Sequence, residues 1–387
     1  MNPIEKLVLK FYSLFIKKSQ EYIIFESAND FYDNAYALFT YFKKNHKEYK
    51  YKYIITSKEM KKTASRFGVD KSELLSCYNK LKLYKYSLKA KCIFFSYTNY
   101  WKKLKLQNDT LIMFCDHGLF PVKDCSVYFD YLFEPQQNKL AMGYRTKHVQ
   151  DILQNRYPIL KTIDAYLVGM PRDDIMYTAH PNKEEFLKNI GVEDPKNKQI
   201  IVSITTFRAE HDEATDFFKD EYPLSLNDSD LEELNESLKN NNQVLIFKVH
   251  HAQKNVKVPA SLSNLKILNN NDLFKQNMDL HIFFTICDAL LTDYSGGYFD
   301  YLNMDRPLGF ILADKEKYMK NRGFTVDDLE SIMPGNKIYS KEELLEFFNE
   351  IKNSIDKFKA ERAKIKKDFL GDYGPNGSKS YAEKFLQ

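Results

Sequence analysis

Ala289-Leu290-Leu291-Thr292-Asp293-Tyr294-Ser295-Gly296-Gly297 is the stretch that decides the fold. The apolar run Ala289 to Leu291 reads as the end of a buried strand. It breaks into hydroxyls, a carboxylate and two glycines, and Phe299, Tyr301 and Leu302 follow at roughly helical spacing. The segment is therefore expected to be a strand that stops, exposes backbone amides and starts a helix. Glycine lets a ligand approach the backbone closely, and a helix N-terminus carries about half a unit of positive charge. Both suit an anion, most often phosphate. A tight strand-to-helix turn with Ser295 as N-cap accounts for the same residues without a ligand.

Outward from this stretch, short apolar runs alternate with helical segments. Tyr22–Phe25, Tyr53–Thr56, Cys92–Ser96, Leu111–Cys115 and Ala165–Val168 read as strands, with Asn34–Lys44 and Ser72–Tyr86 as helical segments among them. The pattern restarts after the polar stretch Asp194-Pro195-Lys196-Asn197-Lys198 with Ile200–Ile204, Val244–Val249 and Ala289–Leu291. Glu342–Lys367 reads as one long helical stretch, followed by a Gly/Pro-rich turn and a short last helix. Alternation of this kind predicts an α/β protein: two doubly wound, Rossmann-like halves with parallel sheets and ligands at the carboxyl ends of the strands, in a central cleft. The expected division is an amphipathic N-terminal helix over 1–20, a first domain over 21–193, a second over 194–350 and C-terminal helices over 351–387. In the first of these, Ile4, Leu7, Val8, Phe11 and Phe15 share one face, opposite Lys6, Lys10 and Lys17. Such a helix lies on a membrane interface or docks on the domain that follows.

Composition narrows the function classes. At 387 residues, 43% of them apolar, the chain can bury more than one core. The net charge of +4 is too mild for a nucleic-acid binder, and no basic cluster interleaves with aromatics as in such modules. Cys77, Cys92, Cys115, Cys125 and Cys287 form no CxxC pair and are odd in number; they read as small buried hydrophobes of a reducing compartment. No apolar run reaches the length of a membrane span, and lysines interrupt any signal-like segment.

Chemistry is expected at the strand ends. Leu111–Cys115 runs into Asp116-His117-Gly118, which places an imidazole past a buried strand as a candidate base, with Asp116 as a candidate orienting group. Val244–Val249 ends in Lys248-Val249-His250-His251, and alternation sets Lys248 and His250 on one face. Ile200–Ile204 ends in Thr205-Thr206-Phe207-Arg208, two hydroxyls and a guanidinium suited to phosphate. Gly169-Met170-Pro171-Arg172-Asp173 reads as a turn with an exposed arginine. Asp228-Ser229-Asp230 matches a metal-binding DxD, yet Ser229 and Glu232 make a capping box there, and no metal site is expected. These residues together describe a two-domain transferase or hydrolase with a diphosphate-bearing ligand and a histidine base.

The order of the motifs resembles the glycerophosphotransferases that use CDP-glycerol, the teichoic acid primases and polymerases. The matching elements are Phe25-Glu26-Ser27 with Asp33-Asn34, His117-Gly118, Gly169 to Asp174, Thr206-Phe207-Arg208, Lys248-Val249-His250, Thr292-Asp293-Tyr294-Ser295, Met333-Pro334-Gly335 and Asn376-Gly377-Ser378. They run from about Ile23 to Phe385. The chain departs from the family pattern in Asp116 before the first histidine, in Leu119-Phe120-Pro121 after it, in His251 and in Gly296. The resemblance implies a GT-B-like fold, no metal in the transfer step and no cofactor beyond a CDP-alditol donor, CDP-glycerol above all. It also implies a lipid-linked polymer acceptor, for teichoic acid or capsule, and a cytoplasmic enzyme peripheral on the inner face of the membrane. Carried over by position, His117 is the family's base and His250 its second essential histidine. Thr292 and Ser295 are diphosphate ligands, helped by Asp293, Gly296, Thr206 and Lys248, and Arg208 is the basic residue near the donor. Two rivals share the plan: a nucleotide-sugar glycosyltransferase or epimerase, and an inactive nucleotide-binding subunit of an assembly complex.

Overall fold

The computed structural model describes residues 16, 19–27, 31, 33–101, 106, 110–118, 121–133, 138–206, 224, 226–249 and 258–386. Described residues of Met1–Leu119, Cys125–Asp174 and Leu370–Gln387 form one compact unit, and those of Phe120–Asp124 and Ile175–Phe369 form a second. The expected N-terminal helix lies outside the described residues, apart from a few at its end.

The first unit holds β1 (Tyr22–Glu26), β2 (Lys50–Ile55), β3 (Leu74–Ser76), β4 (Ala90–Phe95), β5 (Leu111–Phe114), β6 (Lys139–Tyr144) and β7 (Asp164–Leu167). They form one sheet in the order β3-β2-β1-β4-β5-β6-β7, and every adjacent pair is parallel. The central strands read as unbroken apolar runs because helices cover both faces. One face buries Phe25, Phe94 and Met113 against Leu38, Phe39 and Phe42 of the helix Asn34–Asn45. The chain's last helix, Gly377–Phe385, joins the same core through Tyr381, Ala382 and Phe385. Asp174 Oδ1 and Oδ2 accept from the Gly377 and Ser378 amides at 2.7 and 2.9 Å, which caps that helix. A Cβ on Gly377 would strike the Met170 carbonyl, and one on Gly169 would lie 2.6 Å from the Gly377 Cα. The glycines of two family-like elements are thus the contact that brings the C-terminus home.

The second unit holds β8 (Gln199–Ile204), β9 (Gln243–Lys248), β10 (Leu265–Leu268), β11 (Ala289–Thr292), β12 (Leu308–Ile311) and β13 (Asn336–Ile338). Its sheet runs β10-β9-β8-β11-β12-β13, again all parallel. The strand order reverses between β1 and β4 in one sheet and between β8 and β11 in the other. These are the switch points where such sheets hold ligands.

Several expectations are corrected. Ser72–Tyr86 is not one helical segment: it contains β3, and its helix is Lys80–Ser87. The long C-terminal helix is two, Lys341–Lys352 and Lys359–Leu370, because Ser354 takes a left-handed φ of 55°. Asp194–Lys198 is a turn inside the second unit rather than a linker, with Asp194 and Asn197 at positive φ. The helix before it, Lys183–Asn189, belongs with that unit, since Phe186 packs 5.0 Å from Phe283 and Lys183 pairs with Asp288. The C-terminal helices divide at Leu370, because Phe369 packs 5.0 Å from Phe299 of the second unit while Tyr381 and Phe385 enter the first core. The capping box at the DxD is made by Asn227 and Asp230, not by Ser229 and Glu232.

Candidate active site

In the first unit the ends of β1, β4 and β5 converge on His117. Asp116 takes a left-handed φ of 63°, and its Oδ1 accepts from the His117 and Gly118 amides at 2.5 and 2.9 Å. Asp116 therefore shapes the loop that carries the imidazole. The imidazole is oriented by Ser96 after β4, whose carbonyl lies 3.0 Å from His117 Nδ1. A carbonyl only accepts, so Nδ1 carries the hydrogen and Nε2 of the neutral ring keeps its lone pair. That is the tautomer a general base requires. Tyr97 and Tyr128 set their rings edge-on to the imidazole, at 5.4 and 5.3 Å between centroids. Tyr128 Oη in turn donates to the Tyr97 carbonyl at 3.0 Å.

A buried polar frame holds this loop. Asn34 is fully buried; its Nδ2 donates to the carbonyls of Cys115 and Asp116 at 3.1 and 2.9 Å, and its Oδ1 accepts from the Arg172 amide at 3.0 Å. Arg172 is not the exposed turn residue expected. It is buried and pairs with Asp33 at 3.6 Å. Its guanidinium lies where a Cβ on Gly118 would sit, 2.8 Å from Nη2, and Gly118 has φ 105°, so glycine is required twice over at this position. Burial raises the Asp33 carboxyl, and the charges of Arg172 and His117 work against that rise.

Glu26, the last residue of β1, is fully buried. Its Oε2 accepts from the Tyr97 and Thr98 amides at 3.1 Å each, and Oε1 has no hydrogen-bond partner. Burial pushes its carboxyl up to about 8, against the pull of those amides. The acid thus clamps the segment whose Ser96 carbonyl sets the imidazole. Glu26, Asn34 and Arg172 were visible in the sequence only as members of family-like elements, with no role attached. Burial of a charged residue is a tertiary property that a strand pattern does not carry.

In the second unit the β8 and β11 ends are bound together by Asp293. This carboxylate is buried and accepts from the Thr206 amide at 2.9 Å, the Thr206 hydroxyl at 2.9 Å and the Ser295 amide at 3.1 Å. Thr292 Oγ1 donates to the Ile204 carbonyl at 2.7 Å, and the residue is fully buried. Thr292, Thr206 and Asp293, expected as ligand groups, are joined to one another and to the strand ends by these bonds. The donors of both threonines are spent inside the protein, and a carboxylate repels phosphate. Ser295 is not the N-cap either: the helix is Gly297–Tyr301, with Gly296 at the cap position. Ser295 Oγ accepts from the Gly297 amide at 3.4 Å, which leaves its hydroxyl hydrogen free to donate outward. Ser295 and Gly296 are both half-buried. Lys248 ends β9, beside β8. Its Nζ donates to the Val249 carbonyl at 3.1 Å, and burial lowers it to about 8. His250 and Arg208 lie outside the described residues.

A family model described as CDP-glycerol:poly(glycerophosphate) glycerophosphotransferase matches residues 8–373. The teichoic acid poly(glycerol phosphate) polymerase of Bacillus spizizenii is 29% identical over 232 residues, 58% of this chain and 51% of that protein. The teichoic acid glycerol-phosphate primase of Bacillus subtilis is 28% identical over 221 residues, 57% of this chain and 50% of that one. The chain thus spans about half the length of these relatives. Among solved structures, the wall teichoic acid polymerase TagF superposes with a TM-score of 0.71 at 19% identity, covering 99% of this chain and 95% of that one. The fold is therefore the GT-B-like pair of Rossmann-like domains expected from the sequence.

Proposed function

The chain belongs to the CDP-glycerol:poly(glycerophosphate) glycerophosphotransferase family, and from that membership we propose that it transfers glycerol phosphate from CDP-glycerol to a hydroxyl of a growing polymer, releasing CMP. The observation that carries the reading is the His117 tautomer: Nδ1 donates to Ser96, so Nε2 is left to accept the acceptor's proton. The acceptor oxygen then attacks the phosphorus that bears glycerol, the bond from that phosphorus to the CMP oxygen breaks, and CMP leaves with the electron pair. Such a transfer asks mainly for positioning and for stabilisation of charge on the phosphoryl oxygens. Ser295, the Gly296 amide and Lys248 supply the donor side, with His250 and Arg208 assigned there by family position. Thr292, Thr206 and Asp293 hold the turn that carries Ser295. The transfer runs without a metal.

The finer assignment is a lipid-linked acceptor in teichoic acid or capsule synthesis, at the inner face of the cytoplasmic membrane. The basic amphipathic segment at the start of the chain supports it. No helix among the described residues is long and apolar enough to cross a membrane. The test is purified protein with CDP-glycerol, CDP-ribitol or a UDP-sugar and a soluble lipid-acceptor analogue, read by product mass and CMP release. A product heavier by one glycerol phosphate, with stoichiometric CMP, is expected. UDP release from the sugar donor alone would replace the reading with glycosyl transfer.

A further inference from the structure

The first unit contains a cavity of about 500 Å³ at the opposite end of its sheet from β7, with an apolar floor of Ile55, Leu74, Leu75 and Tyr86. It is lined by Lys52 on β2, Lys61 on the helix Lys58–Thr63, Lys71, and Lys82 on the helix Lys80–Ser87, with Ser72, Ser76 and Asn79 between them. No carboxylate lines it among the described residues. None of the four lysines makes an ion pair among the described residues, although acids stand nearby. Asp70 and Glu73 are taken by Lys43, and Glu21 by Lys50 and Lys89. Lys52 is nine-tenths buried, and among the described residues its ammonium is met by the Ser72 carbonyl and by the rings of Tyr86 and Tyr22, at 4.5 and 5.8 Å. Such partners hold a cation without neutralising it. Four like charges gathered around a cavity repel one another and concentrate anions. The volume lies within the usual ligand range of about 300–1,000 Å³.

We propose that this cavity binds phosphodiester groups of the acceptor polymer already made. The inference rests on the proposed transfer reaction. Lysines act as point charges toward phosphate, and the serines and asparagine suit an alditol's hydroxyls. The cavity lies at β2 and β3, whereas His117 follows β5. Along the order β3-β2-β1-β4-β5 the separation is three to four strand steps of about 4.8 Å, or roughly 14–19 Å. A short acceptor reaches only the imidazole, and a longer one also reaches the lysines.

The test is the full chain carrying Lys61→Gln, Lys71→Gln and Lys82→Gln together, with Lys52 left in place because its burial ties it to folding. Binding of a fluorescent oligo(glycerol phosphate) should weaken at least about tenfold, while Lys→Arg at the same three positions keeps it. The melting temperature and the rate with a single-unit acceptor should match wild type. Unchanged oligomer affinity overturns the proposal. Equally, loss of sedimentation with phosphatidylglycerol vesicles at unchanged oligomer affinity overturns it in favour of a lipid headgroup site. If wild type fails to transfer glycerol phosphate to the single-unit acceptor, the transfer reading falls, and oligomer binding still judges the cavity.

Discussion

The ends of β1, β4 and β5 and the ends of β8, β9 and β11 occupy equivalent places in two sheets of the same handed order, and they are built from opposite materials. The first set gathers the buried Glu26 and the half-buried Asp33 and His117 around the buried cation of Arg172. Among its described residues the second buries one carboxylate, Asp293, whose oxygens are filled by amides and a hydroxyl, beside the half-buried Ser295, Gly296 and Lys248. The difference teaches that a shared topology fixes where chemistry sits, while burial decides its kind. The first set is suited to moving a proton and the second to holding a charge that does not move.

The largest expected effect tests the proton side. His117→Ala should lower turnover by about 10²- to 10⁴-fold, the usual contribution of a general base. CDP-glycerol affinity, measured by calorimetry, should stay near wild type, because the donor groups belong to the other unit. A variant that loses donor binding as severely as turnover would erase the contrast between the sets.

The next effect is on stability rather than rate. Asp293→Ala strands the Thr206 amide, the Thr206 hydroxyl and the Ser295 amide in a buried place. Unfolding in urea should show a loss of about 3–5 kcal/mol, the sum of a few unsatisfied donors. A loss of donor affinity with unchanged stability would instead make Asp293 a group that faces the ligand.

The pH responses should also separate the sets. Glu26 holds a proton up to about pH 8 in the folded protein, against 4.5 for the free side chain. Its contribution to stability is therefore fully present below pH 4.5 and is lost as pH rises toward 8, reaching about 3 kcal/mol at pH 7. Glu26→Gln can still accept from Tyr97 and Thr98, and should be more stable than wild type at pH 7 and flat across this window in urea titrations. Lys248 is lowered to about 8, so it loses its charge above that pH. Donor affinity in wild type should fall as pH passes 8, and Lys248→Gln should bind weakly and without that step. A flat wild-type profile would remove Lys248 from the donor site.

How much of this was legible beforehand depends on what each feature rests on. The central strands were legible because they are covered on both faces and so read as apolar runs, as in Ile200–Ile204. β3 and β13 were not, since three residues leave no periodicity, and β6 was hidden by Lys139, Ala141 and Gly143, which favour strands weakly. His117 was legible because a strand end is a position in the sequence. Its partner was not: Ser96 is reached only through the pairing of β4 with β5. The same blindness lets Thr292 and Ser295 be confused, because sequence shows two hydroxyls and not the Ile204 carbonyl that Thr292 meets.

That last confusion sets the smallest and sharpest test. Thr292 and Ser295 are three residues apart, and both carry hydroxyls on one turn. Thr292 spends its hydrogen on Ile204 in full burial, while Ser295 is half-buried and only accepts, weakly, from Gly297. Thr292→Val keeps the shape and removes one buried hydrogen bond, so stability should fall by about 1 kcal/mol with donor affinity unchanged. Ser295→Ala should leave the urea midpoint in place. Because it removes a charge-assisted bond to a phosphate oxygen, it should weaken CDP-glycerol binding by about tenfold or more. If the two variants exchanged their effects, the hydroxyl facing the donor would be that of Thr292, and the turn would have to open to present it.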